Sequence, residues 1–449
     1  MVAQKNIIKK VEIGVNTPSL SLGMQLKDGL DLFFKEEIFP AMDEYFNSIQ
    51  KNSSSIVRID TISIDISFEK NNSINELKSL IINKLKKIIN NEIISDKVEG
   101  NFTIISLEQK ETDAFFHFLK NGTLPWWLEK KEDFLNLFIK NFKWEKKITK
   151  KLEAFFSNPE IRKRLVYQFD DAQLFQIIYS FLNISKEENL IAKIPPTYRL
   201  QFWEAIMHFS VFQNEKEVGK IFQNISNKDV SKIQEISKRA FGLHLSFKRE
   251  SLEKKEFKNT VSSEFEKEPK ALDLNSVKEE NEIVKEGILV KNAGLILLHP
   301  FLKTFFEKMD FLTGKFIKTE KIDEAIHALH YLATGKEQAY EHDLVFEKFL
   351  CNVPIHQPIN RHFILSKEQK IACEVLLQAV LEHWSALKSK STEILQNEFL
   401  QREGKLTISE EKQTLIVARK TQDILLDKLP WNINLVKVPW IEKIVFVEW

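Results

Sequence analysis

Residues 322–335 read IDEAIHALHYLATG. Ile326, Leu329 and Leu332 fall on one face of a helix, and Gly335 offers the left-handed backbone that closes one. The same period runs through INELKSLIINKLKKII (74–89), ETDAFFHFLK (111–120), AGLILLHPFLKTFFEKM (293–309), KIACEVLLQAVLEHWSALK (370–388) and TEILQNEFLQREG (392–404). Asn121-Gly122 and Gly404 read as further helix ends. Between 24 and 42, Met24, Leu26, Leu30, Leu32, Phe33, Ile38 and Met42 also keep helical spacing, with a kink expected where Pro40 removes a backbone donor. Helices are further expected across about 130–245, and no repeat of fixed period emerges that would build a solenoid.

Period-2 stretches are fewer. Val11, Ile13 and Val15 alternate with polar or small residues, as do Ile62, Ile64, Ile66 and Phe68, which predicts two half-buried strands in one sheet. With a helix between them, such strands normally pair in parallel by a right-handed crossover. Near the C-terminus, TLIVAR (414–419), NLVKV (434–438) and KIVFVEW (443–449) are short β-branched runs separated by Pro430 and Pro439, which predicts a small terminal sheet. The fold class is therefore α+β, helix-dominated. Its expected parts are a β-α-β unit over 1–70, a helical domain over 71–247, a charged flexible linker over 248–286, and a C-terminal helical domain with terminal strands over 287–449. The linker reading rests on 11 acidic and 9 basic side chains with few aromatics between 248 and 286.

A chain of 449 residues exceeds one ordinary hydrophobic core, so several domains are expected. Lys and Arg number 65 against 64 Asp and Glu, a net charge of +1, which argues against a dedicated nucleic-acid or anionic-membrane binder. The composition, 43% hydrophobic and 29% charged, is that of a globular protein. Neither a signal-peptide pattern nor an apolar run of membrane-spanning length is present, which predicts a cytoplasmic protein that spans no membrane. Cys351 and Cys373 are too few for a disulfide framework and read as buried structural thiols.

Catalytic motifs are scarce. His327 and His330 lie one helical turn apart, with His342, Cys351, His356 and His362 downstream. They raise a zinc-hydrolase alternative, although neither HExxH nor paired CxxC spacing accompanies them. The competing reading makes them helix-packing histidines with hydrogen-bonded rings. Gly314-Lys315 and Gly335-Lys336 lack the rest of a phosphate-binding loop, and no GxSxG or GxGxxG occurs. The basic run Lys140–Lys151 with Phe142 and Trp144 reads as a solvated helix face before it reads as a single-strand binder. Trp203 and Trp384, inside apolar helical runs, read as core.

Several landmarks in order resemble the tape measure family of contractile injection systems, phage-tail-like particles that drive a tube through a contracting sheath. They are VEIGV (11–15), KEEIFPAMDEYF (35–46), IVRIDTISIDISF (56–68) and NGTLPWW (121–127), then VKNAGLILLHPFL (290–302), AIHALHYLATG (325–335), LLQAVLEHWSALK (376–388), FLQREGKL (399–406), LPWNINLVKVPW (429–440) and FVEW (446–449). The resemblance implies a non-enzymatic assembly protein that controls tube and sheath length. Its partners would be tube, baseplate or cap proteins, with no cofactor, metal, small-molecule substrate or nucleic acid. It would be assembled in the cytoplasm, with incorporation in the particle as an option. A globular adaptor or chaperone of the same machine is the alternative. For either role Trp126, Trp127, Trp431, Trp440 and Trp449 are the candidate partner contacts, because large aromatic anchors concentrate binding energy.

Overall fold

The computed structural model describes residues 6–16, 24, 29–49, 55–67, 74–94, 102–128, 134–141, 146–182, 194, 196–212 and 287–449. The linker expected at 248–286, and the helices expected beyond 212, lie outside the described residues. Helices dominate and strands are few and short, so the α+β class holds. The chain falls into two compact units, Met1–Ala114 with Trp126–Glu129, and Phe115–Pro125 with Lys130–Trp449.

In the first unit a π-helical turn, Phe34–Ile38, runs into helix α1, Phe39–Ile49. The expected Pro40 kink takes this form: the ring lacks the N–H that a regular turn would use, and the ladder widens just before it. Helix α2, Ile74–Ile94, packs on this element. Phe33, Ile38 and Ile81 form one small core, and Tyr45, Leu85 and Ile89 a second. Ile62, Ile64 and Ile66 lie over these two cores while Ser63, Asp65 and Ser67 face out, so the alternation is correct. The pairing differs from expectation. Residues 60–67 and 6–16 carry no ladder, and Val11, Ile13 and Val15 are exposed. The unit's sheet instead joins β1, Ser55–Ile59, to β2, Phe102–Ser106, in antiparallel register with Val57 opposite Ile104. The parallel crossover fails because the strand begins seven residues earlier than its alternation suggests, and its partner comes after α2 rather than before α1.

Helix α3, Leu107–Asn121, is followed in the second unit by α4 (Phe134–Asn141), α5 (Lys146–Phe156), α6 (Pro159–Gln168), α7 (Asp171–Leu182) and α8 (Pro196–Phe212). Asn158 caps α6 by accepting from the Glu160 and Ile161 amides, with Pro159 at a position where no donor is needed. Phe115 stacks on Phe138 at 4.5 Å, and Phe118, Phe156, Phe169 and Trp203 are buried with them. The Trp203 indole N–H donates to Asp171 Oδ1 at 2.9 Å, so the large ring enters the core without an unpaired donor.

From 287 onward a sheet carries one face of a large core. Its order is β3-β6-β7-β9-β8, for β3 Ile288–Val290, β6 Gly404–Ile408, β7 Gln413–Val417, β8 Leu435–Val436 and β9 Val445–Glu448. A separate two-residue hairpin, β4 (Leu312–Thr313) with β5 (Phe316–Ile317), stands apart from it. All pairings in the large sheet are antiparallel except β7 with β9. The terminal strands read from TLIVAR, NLVKV and KIVFVEW are thus present. Helices α9 (His299–Lys308), α10 (Ile322–Thr334), α11 (Val345–Leu350) and α12 (Lys367–His383) complete the layer. Ser366 and Gln369 form a capping box at the start of α12.

Two helical expectations need correction here. AGLILLHPFLKTFFEKM is not one helix: Ala293–Leu298 is a 3-10 segment that passes into α9 at His299, with Pro300 in the first turn. Gly404 does not end a helix. The helical part of TEILQNEFL stops in a π turn, Gln396–Leu400, and Gly404 opens β6, where a Cβ would lie 2.7 Å from the Ala293 Cβ and 2.8 Å from the Ile416 carbonyl oxygen. Gly335, by contrast, closes α10 at φ +67° as expected, its N–H donating to the Tyr331 carbonyl.

Candidate functional site

The NGTLPWW motif starts where α3 ends. Gly122 has φ +72°, its N–H donates to the Phe118 carbonyl at 2.8 Å, and a Cβ there would lie 2.4 Å from Glu341 Oε1. Glycine is therefore required twice, by conformation and by space. Pro125 prevents continuation of the helix, and the two tryptophans follow on a turn. Trp126 is 42% exposed with Lys9 Nζ 5.9 Å from its ring, and half-buried Trp127 lies under the Arg58 guanidinium at 4.8 Å. Both cations sit where the ring faces attract them.

The remaining candidate tryptophans lie in the second unit, beyond residue 430. Trp431, half-buried, donates to the Leu297 carbonyl at 3.0 Å and meets Phe301 edge to face. Trp440 is buried, stacks on Phe306 at 4.8 Å and donates to the Leu350 carbonyl at 2.6 Å. Trp449 donates to Asp423 Oδ2 at 3.1 Å, and Arg402 lies 5.9 Å from its ring. The structure thus brings Trp126 and Trp127 together and holds each of the other three by an indole hydrogen bond.

Three buried polar clusters were not legible beforehand. In the first, Arg164 Nε donates to Glu341 Oε2 at 2.9 Å and Nη2 to Oε1 at 3.2 Å, while Nη1 donates to the Leu119 carbonyl at 2.6 Å. Lys348 Nζ donates to Glu341 Oε1 at 2.5 Å and to the Ile355 carbonyl at 2.7 Å. Gln168 accepts from the Glu341 amide at 2.8 Å and donates to the Ile359 carbonyl at 2.7 Å. The ionic side chains are no more than 1% exposed. Two cations share one carboxylate here, and burial pushes the Lys348 ammonium down to about 8 against the pull of Glu341.

In the second cluster Arg402 and Asp423 form a buried ion pair. Arg402 Nε also donates to the Glu398 carbonyl at 2.6 Å, and the Lys420 amide donates to Asp423 Oδ2 at 2.7 Å. With Trp449 on the same carboxylate, the FLQREGKL and FVEW motifs meet at Asp423. These Arg and Asp residues are indistinguishable by local pattern from solvated charges, so nothing in the one-dimensional text marks them.

The third cluster decides the metal alternative. His327 Nδ1 lies 3.0 Å from the Glu337 carbonyl oxygen and Nε2 lies 2.8 Å from that of Asn360. His330 Nδ1 lies 3.4 Å from Glu347 Oε1 and Nε2 lies 3.3 Å from Thr334 Oγ1. Asn292 Nδ2 donates to the same Glu347 oxygen at 2.6 Å. The ring nitrogens are engaged as packing histidines, and burial lowers the His327 pKa despite its two carbonyl partners. Among the described residues no group of three His, Cys, Asp or Glu is placed to hold a metal. Cys351 and Cys373 are buried, with burial raising both thiols, Cys373 to about 12. They sit as structural thiols, not as activated nucleophiles. Trp384 is fully buried and donates to the Leu425 carbonyl, as a core residue should.

Among the described residues no helix is long and apolar enough to cross a membrane. No curated protein and no solved structure matches the chain. The family model of the contractile injection system tape measure protein matches residues 5–449, which takes in the ordered motifs from VEIGV to FVEW. The fold contains these motifs as caps, close approaches and buried ion pairs, and by that near-complete match the chain belongs to the contractile injection system tape measure protein family.

Proposed function

We propose that this tape measure protein controls length through folded units that bind tube, baseplate or cap proteins, and not as one continuous helical rod. As a family member it is a structural, non-enzymatic component of a contractile injection particle, with length control in assembly as its role. The observation that carries the mechanism is the size of the helices. The longest described one, Ile74–Ile94, has 21 residues, a span of about 32 Å. A single helix of all 449 residues would reach about 670 Å. From 288 to 447 the chain instead closes around a core that includes Leu295, Leu329, Leu377 and Trp440.

Partner contact is assigned to the five tryptophans in two ways. Trp126 offers its exposed ring directly, with Trp127 beside it. Trp431, Trp440 and Trp449 fix the surface around the terminal sheet through the carbonyl and carboxylate bonds described above. Assembly takes place in the cytoplasm, followed by incorporation into the particle. Electron microscopy of particles made with insertions or deletions in 248–286 tests the reading. Length that tracks the change supports length control by this chain through that segment. Constant length with altered yield is the result expected of the alternative, a globular adaptor or chaperone. Uniform particles of normal length in the absence of the chain would refute length control altogether.

A further inference from the structure

Among the described residues, large side chains on the outer face of the five-stranded sheet are exposed, and they are arranged about a centre. Strand register places Leu289, Lys405, Ile416 and Glu448 in one cross-strand row and Thr407, Thr414, Phe446 and Leu435 in the next. Leu289, Ile416, Phe446 and Leu435 are 55%, 44%, 44% and 54% exposed, and Lys405 and Glu448 are also exposed. Sheets with one wet face normally put polar residues there, so four large apolar side chains on one such face mark an interaction surface. Lys405 and Glu448 flank Ile416, one on each neighbouring strand. They stand two strand spacings apart, about 10 Å, too far to pair with each other.

We propose that two copies of this chain pack face to face through this sheet surface, about a two-fold axis running along β7. The charges choose the occupant. Rotation by half a turn about that axis keeps each row level and exchanges the strands on either side of β7. Lys405 of each copy then lies opposite Glu448 of the other, and Ile416 meets its own counterpart at the centre. A two-fold interface needs a self-complementary patch of this kind. Stacked sheets lie about 10 Å apart, a distance at which the apolar side chains of the two rows interdigitate. The dimer is expected to be a reversible one that forms at micromolar concentration. This association is a property of the chain itself and does not depend on how length control is achieved.

Sedimentation equilibrium of the full-length protein over a concentration series tests the arrangement, with circular dichroism confirming that each variant is folded. The wild type is expected to dimerise reversibly. Ile416→Asp places two carboxylates at the axis and should leave a monomer. Lys405→Glu puts like charges opposite one another twice and should raise the dissociation constant by about tenfold or more, and adding Glu448→Lys should restore it. A wild type that stays monomeric to about 200 µM overturns the proposal, because that places its free energy of association weaker than about −5 kcal/mol. So does a dimer in which Lys405→Glu and the double reversal dissociate alike, since the charges would then not face one another.

Discussion

Replacement of Glu341 by glutamine keeps the volume of the side chain and removes the carboxylate that Arg164 and Lys348 share. The wild-type oxygens accept from Arg164 at 2.9 and 3.2 Å and from Lys348 at 2.5 Å, with every participant buried. Breaking a buried ion pair by deleting one partner costs about 3–5 kcal/mol, because the remaining charge is left without compensation. Here two cations are left, and the chain has one route of relief. Lys348, already pushed down to about 8, can give up its proton. The unfolded chain holds that proton up to the ordinary lysine pKa, so the unfolded state binds more protons and stability rises with pH across the interval. Loss of Glu341 lowers the folded pKa further and widens the interval downward. The Glu341→Gln penalty should therefore be larger at pH 7 than at pH 9, changing by no more than about 1.4 kcal/mol per pH unit.

Urea unfolding of the full chain, followed by circular dichroism at pH 7 and pH 9 for wild type and variant, measures both quantities. The difference between the two proteins cancels the buried thiols, whose raised pKa values oppose the lysine in the same window. A loss under about 1 kcal/mol at pH 7, or the same loss at both pH values, would mean that the cluster does not hold its charges as the geometry requires.

Gly294→Ala should prevent the core beyond residue 287 from forming, because a Cβ there would sit 1.7 Å from the Phe399 carbonyl oxygen. Gly314→Ala, at φ +61° with nothing within 4 Å, should cost about 1 kcal/mol by urea titration. Lowering the pH from 7 toward 5 should reduce the melting temperature. Burial lowers the pKa of His299, His327, His342 and His362, the last to about 4, so unfolding takes up protons below the ordinary histidine value. The raised carboxyls of Asp323 and Glu204 oppose this at the acid end, and a flat or rising melting curve across that range would contradict the assignment. Trp126→Ala should leave urea stability within about 0.5 kcal/mol while reducing incorporation or length control in particles scored by electron microscopy. Trp440→Ala should cost about 3–5 kcal/mol in the same titration before any assembly assay is read.

Periodicity located most helices and the terminal strands because burial there follows the local pattern. The stripe Ile326, Leu329 and Leu332 is fully buried, and Gly335 closes its helix in the conformation that the text suggests. The same logic misplaced the first sheet. Ile62, Ile64 and Ile66 alternate because they cover two helices, and alternation reports a buried face without reporting a neighbour on either edge. Gly404 misled for a related reason. A glycine after a helical run is as good a cap as a close-approach residue until the facing backbone, here Ile416 and Ala293, is known. The charged clusters were out of reach entirely. Arg164 meets Glu341 across 177 positions, and no local feature distinguishes a buried arginine from its solvated neighbours.

That failure bears on how the family motifs should be read. NGTLPWW looks like an exposed aromatic signature, yet its glycine is fixed by Glu341, a residue more than two hundred positions later, through a gap too small for a methyl group. FLQREGKL and FVEW look like separate landmarks, yet Arg402 and Trp449 converge on the single carboxylate of Asp423. Several motif residues thus serve constraints that assemble one chain, while others, among them Trp126, Val11, Ile13, Val15 and Leu435, stay exposed. Substitutions consequently divide by burial: those at Gly122, Arg402 or Trp440 act on folding, and an assembly defect traced to them reports lost structure, whereas a defect from Trp126, or from Ile416 outside the motifs, in a fully folded chain reports a lost contact.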